Sequence, residues 1–128
     1  MKRPDRFENL RKLVKLLEIV PPEKFWMATW NYSNSCGFAG CACGWAAHNG
    51  IIPGFVTPKY TNEVYYVDAN GDRLRGFEAA AKAFKIGVKQ ARYLFDPQQY
   101  RPAYNIKPKI VAARIRKFIR EKTRKAVS

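Results

Sequence analysis

The stretch Cys36-Gly37-Phe38-Ala39-Gly40-Cys41-Ala42-Cys43-Gly44-Trp45-Ala46-Ala47 constrains what this chain can fold into more than any other. It carries no charge, holds all three cysteines and ends beside the only histidine, His48. A block this long and this apolar belongs inside. Three readings compete: a metal site, a redox site, or a helix on which other elements pack closely. The spacing Cys36-x4-Cys41-x-Cys43-x4-His48 supplies four zinc-competent side chains. On a continuous helix, turning about 100° per residue, Cys36 and Cys43 share one side while Cys41 and His48 take the other. Members of each pair then sit about 10 Å apart along the axis, whereas tetrahedral zinc needs every donor within about 2.0–2.3 Å. Metal binding therefore requires a knuckle in place of a helix.

No cysteine lies three or four residues from His48, so a Cys–His nucleophile pair is not set up on one helical face. The carboxylates are scattered and form no acid/base pair. The expectation is a buried central helix, capped by Asn34 or Ser35 and closed by Asn49-Gly50. In it Gly40-x-x-x-Gly44 admits close neighbours and the free cysteines pack as small hydrophobes. No catalytic residue, cofactor or metal is expected.

A chain of 128 residues fits one domain, 1–128. Its apolar fraction of 47% is enough for a core, which argues against disorder. No apolar run reaches the roughly 18–20 residues of a membrane span. Met1-Lys2-Arg3-Pro4-Asp5-Arg6 shows no small-residue cleavage pattern, and three cysteines pair poorly, so a cytoplasmic, reducing setting is expected.

The rest of the chain is punctuated clearly. Asp5-x-x-Glu8 reads as a capping box for a first helix with Phe7, Leu10, Val14 and Leu17 in one stripe, stopped at Pro21-Pro22. Pro22 suits the first turn of a short helix through Phe25, Trp26 and Trp30. The segment 51–62, with Pro53, Gly54 and Pro58, reads as irregular. Glu63–Val67 and Arg73–Arg75 read as the strands of a hairpin about Asn70-Gly71. Phe77–Phe84 and Val88–Phe95 read as helices separated at Ile86-Gly87, and a last helix runs from about Pro108 to Lys125. The fold class is mainly α: about five helices with one small β-hairpin.

The pattern Cys36-Gly37-x-x-Gly40-Cys41-Ala42-x-Gly44-Trp45-Ala46 resembles a motif of small, uncharacterised bacterial and phage proteins. Three further segments match in order. They are Val20-Pro21-Pro22-Glu23-x-Phe25 with Trp30, then Phe84-x-Ile86-x-x-x-x-Ala91-x-x-Leu94-Phe95, then Pro108-x-x-Val111-Ala112-x-Arg114-Ile115. The resemblance spans most of the chain outside the hairpin and the basic tail, and implies no activity. Lys107 stands where that family usually has Thr before the proline, and Cys43 and His48 are not part of its motif.

Charge carries the functional expectation. There are 24 Lys and Arg against 10 Asp and Glu, a net +14. Residues 107–128 hold nine basic residues and one acid, Glu121, more than half of the excess. On the last helix Val111, Ile115, Phe118 and Ile119 form an apolar stripe, while Lys109, Arg116, Lys117, Arg120 and Arg124 share a sector of about 100° on the far side. A solvated face usually mixes signs; this one is nearly all cationic and mostly guanidinium, which suits phosphate. It lacks the aromatic wedge of a membrane-surface helix.

Residues 77–95 have helix-turn-helix spacing, in which Lys89, Gln90, Arg92 and Tyr93 would face a groove; an ordinary helical corner is the plainer alternative. Tyr60, Tyr65, Tyr66, Tyr93, Tyr100 and Tyr104 either stack bases or cover the core. The expectation is a non-enzymatic nucleic-acid-binding protein, for DNA or RNA, contacting phosphates through Lys109, Arg116, Lys117, Arg120 and Arg124. Lys85, Lys89 and Arg92 would assist from the corner. The alternative is an accessory module, phage or bacterial, that binds an acidic protein surface.

Overall fold

In the computed structural model, residues 5–25, 27, 32–34, 37–39, 41–58, 63–101 and 106–127 are described, with backbone alone for 32–34, 37–39 and 125–127. Helix α1 spans Glu8–Leu17. Asp5 organises its start by accepting from the Phe7 N–H at 3.0 Å and from Arg11 Nε at 2.6 Å. The backbone bond to Phe7 and the Arg11 guanidinium hold the Asp5 carboxyl below its ordinary value. This is an Asx-type turn, so the expected box with Glu8 is replaced by a shorter link. Leu10, Leu13, Val14 and Leu17 are buried, as the stripe requires.

Pro22–Lys24 makes only one 3-10 turn, and Phe25 beyond it is extended. The longer helix expected from Pro22 is corrected here; Trp26 and Trp30 lie outside the described residues. The expected helix over the cysteine block is corrected as well. Strand β1, Tyr32–Asn34, pairs antiparallel with β2, Gly37–Ala39, and helix α2 begins only at Ala42 and runs to His48. A glycine- and alanine-rich apolar block satisfies strand and helix alike, because its pattern shows burial and no period. Cys41, in extended conformation, caps α2 through its Sγ, which accepts the Gly44 N–H at 3.5 Å. At the other end Ile51 N–H bonds to Ala46 O and Gly50 N–H to Ala47 O, a Schellman closure with Gly50 at φ +63°.

The expected hairpin forms as β4, Tyr65–Val67, and β5, Arg73–Arg75, joined by a turn in which Asp68 accepts from the backbone of Asn70 and Asp72. It gains a third strand within the segment expected to be irregular: β3, Phe55–Val56, pairs with Tyr66 and Tyr65. Gly54 permits this. A Cβ there would stand 2.8 Å from the Val67 carbonyl oxygen, and its φ is +84°.

Helices α3, Gly76–Phe84, and α4, Val88–Phe95, follow as read. Ala79, Ala80, Ala81 and Ala83 are buried, so α3, and not the cysteine block, supplies the smooth central helix against the sheet, α1 and α4. Asn9 Nδ2 donates to the Ala83 carbonyl at 2.8 Å, tying α1 to the end of α3. Phe84 sits edge-on to Phe55, centroids 5.7 Å apart, and 5.3 Å from Phe95, at the middle of the core. Helix α5, Pro108–Val127, closes the fold against α1 and α4. The result is mainly α with a small antiparallel β element. Among the described residues no helix is long and apolar enough to cross a membrane.

Candidate nucleic-acid interface

The basic ridge is built by anchoring one side of α5. Val111, Ala112, Ile115, Phe118 and Ile119 are buried, and Phe118 meets Phe7 edge to face at 5.8 Å. Each large side chain of that stripe contributes about 1.5–3 kcal/mol on burial, so the rotation of the helix is fixed. Fixing it places Lys109, Arg116, Lys117, Arg120 and Arg124 in solvent, all five exposed. Glu121, the single acid of the helix, is exposed too.

One ridge residue has a carboxylate partner. The Arg116 guanidinium donates to Glu18 Oε1 at the end of α1. Both side chains are 54% exposed, so the pair is worth under about 1 kcal/mol and a phosphate can take the carboxylate's place. Among the described residues no carboxylate pairs with Lys109, Lys117, Arg120 or Arg124.

The helical corner is present but differently employed. Lys85 takes the left-handed conformation, φ 59°, between α3 and α4, and is the only non-glycine residue to do so among the described residues. Lys85, Lys89 and Arg92 are exposed. Gln90, however, turns back so that its Oε1 accepts the Gly87 N–H at 2.9 Å. Arg92 lies over the Phe77 ring at 5.2 Å. Tyr93 is held by Arg114, whose guanidinium carbon stands 4.6 Å from its ring and 3.7 Å from that of Tyr100. The same guanidinium donates to the carbonyls of Tyr93 and Gln99, both at 2.9 Å. Three of the four side chains expected to face a groove are thus engaged in holding the corner.

The tyrosines divide similarly. Tyr100 is buried, its hydroxyl donating to the Leu94 carbonyl at 2.6 Å, and burial pushes its ionisation up; it is a core residue. Tyr65 and Tyr66 are half-buried on β4, and Arg73 stacks on Tyr65 at 5.6 Å. Tyr60 and Tyr104 lie outside the described residues.

Because α2 starts after Cys41, the cysteine block is not one continuous helix. Cys41 and Cys43 are both buried free thiols. Burial, reinforced by Cys41 beside it, keeps the Cys43 thiol well above its ordinary value and therefore protonated. Burial acts the same way on Cys41, but bonds from Cys43 and the Gly44 N–H outweigh it and bring that thiol down. His48 is exposed at the far end of α2, its ring edge-on to Trp45. Among the described residues no three His, Cys, Asp or Glu side chains gather as a metal would require, and Cys36 lies outside them.

A feature not legible in the sequence lies between α1 and α5. A groove of about 870 Å³ has Val14 and Ile119 on its floor and Arg11, Arg116, Arg120 and Arg124 around it. Arg11 escapes any reading of the last helix because it comes from the other end of the chain. Lys85 belongs to a separate hollow of about 620 Å³ with Tyr66, Leu74, Lys82 and Val88. No family model, curated protein or solved structure matches the chain.

Proposed function

We propose that the protein binds nucleic acid, chiefly through phosphates, along the exposed row Lys109, Arg116, Lys117, Arg120 and Arg124 of α5. The observation that carries this is one-sidedness: the opposite face of the same helix is sunk in the core, so the cations are held together on the solvent side. Four of the five have no carboxylate partner among the described residues, and the fifth gives up only an exposed one. Lys85, Lys89 and Arg92 add charge from the corner without forming a reading helix. No reacting group is required, and the binding mode is electrostatic.

Fluorescence anisotropy with a labelled oligonucleotide tests the reading. Neutralising four phosphates makes log affinity fall with log salt at a slope of about −3.6 on a duplex and about −2.8 on a single strand. A flat salt response, or no binding at low salt, rejects it.

A second reading, a module for an acidic protein partner, is favoured by Ile110, which is 54% exposed beside Lys109 and Lys117. A large apolar side chain there serves a protein contact better than a phosphate. That reading requires a complex of fixed stoichiometry that is indifferent to oligonucleotide length.

A further inference from the structure

The groove between α1 and α5 has a chemistry the ridge lacks. A duplex offers a cationic surface its outer phosphates and keeps its bases stacked inside, so it would touch the ridge and leave Val14 and Ile119 unused. A single strand presents both kinds of surface at once: phosphates along one edge and unpaired bases that seek a dry, flat contact. We infer that the groove takes a single strand, its bases against the apolar floor and guanidinium planes and its backbone along the row on α5. This rests on the phosphate-binding reading above and specifies its ligand.

Three observations support the assignment. Arg116, Arg120 and Arg124 recur every four residues, so they stand on one edge of α5 at steps of about 6 Å, and successive guanidiniums can meet successive phosphates. The four arginines are also of two kinds. Arg11 is bound to Asp5, which orients its plane and offsets part of its charge, while Arg116 exchanges the exposed Glu18 for a phosphate. Arg120 and Arg124 have no carboxylate partner among the described residues and keep their full attraction for an anion. Held planes stack on bases, and unpaired cations bind phosphate. Finally, a volume of about 870 Å³ falls within the range of sites that enclose ligands with several rings.

The experiment compares three labelled ligands of about 12 nucleotides at one low salt concentration: a single strand, the same sequence as a duplex, and an abasic strand with the same phosphates. The single strand is expected to bind at least about tenfold more tightly than either of the others, through contact of its bases with guanidinium planes and the apolar floor. Arg11→Gln, an exposed change away from the ridge, should weaken the single strand about fivefold or more and shift the duplex less than about twofold. Equal affinity for all three ligands, with the salt slope retained, overturns the groove assignment and leaves phosphate binding standing. No binding of any of them overturns both. Saturable binding of an acidic amphipathic peptide, with no preference for the single strand, assigns the groove to a protein partner and overturns the inference.

Discussion

The α5 ridge and the α3–α4 corner carry the same kinds of side chain to opposite ends. Both are basic, both are helical, and both expose their lysines. On α5 the core is filled by aliphatic and aromatic side chains on the far face, so Lys109, Arg116, Lys117, Arg120 and Arg124 have no structural duty beyond one exposed bond from Arg116 to Glu18. At the corner the helices are short, nine and eight residues, and polar side chains supply part of the hold. Gln90 caps, Arg92 covers Phe77, and Arg114 from α5 clamps Tyr93 against Tyr100. A basic side chain is available to a ligand when the fold does not already use it.

The sharpest way to break this contrast is to reverse the unpaired ridge. Lys109→Glu, Lys117→Glu, Arg120→Glu and Arg124→Glu together should weaken oligonucleotide binding by at least about 100-fold and flatten the salt slope, because four counterion-releasing contacts disappear. Circular dichroism should show the helix intact, since its buried face is untouched. A variant that still binds with an unchanged slope would move the interface off α5.

Next in size is Arg114→Ala. Removing a guanidinium that satisfies two carbonyls and stacks on two rings should cost about 2 kcal/mol in urea unfolding, while oligonucleotide affinity changes less than about threefold. A large loss of affinity with little loss of stability would make Arg114 a ligand residue in place of a clamp.

The corner itself should matter less. Lys85→Gly, Lys89→Ala and Arg92→Ala combined are expected to weaken binding by less than about tenfold, since their charges act at a distance from the row. Lys85→Gly alone should stabilise the protein by about 0.5–1 kcal/mol, because glycine takes a positive φ without the strain a Cβ brings. A loss comparable to the ridge reversal would restore the corner as a reading element. Smallest of all, Glu18→Gln releases Arg116 and should raise affinity by about two- to threefold in the same anisotropy assay.

Particular elements show what was legible. The α3–α4 boundary was plain because Ile86-Gly87 interrupts the alanine-rich helix, and Asp96-Pro97 marks the end of α4. Helix α5 and the side it buries followed from a helical period carried by Val111, Ile115, Phe118 and Ile119. Tight geometry at Gly50 and the Asp68–Asp72 turn was also a matter of neighbours. The helix expected over the cysteine block failed where period was missing: an apolar, small-residue segment records that it is buried and not how it is coiled. Strand β3 has two residues, too few to carry any alternation, and exists because β4 offers it an edge.

What the amino-acid order determined by itself is therefore the short-range grammar: where helices start and stop, and that the cations of α5 fall opposite its apolar stripe. Tertiary structure decided the rest. It brought Arg11 across to Arg120, set Glu18 on Arg116 from 98 positions away, and engaged Arg114 with two tyrosines. Rotation per residue and turn preference act over a few bonds and can be read along the chain. Which charges are neutralised, and which helices enclose a groove, depends on how distant segments share a core, and no local pattern encodes that.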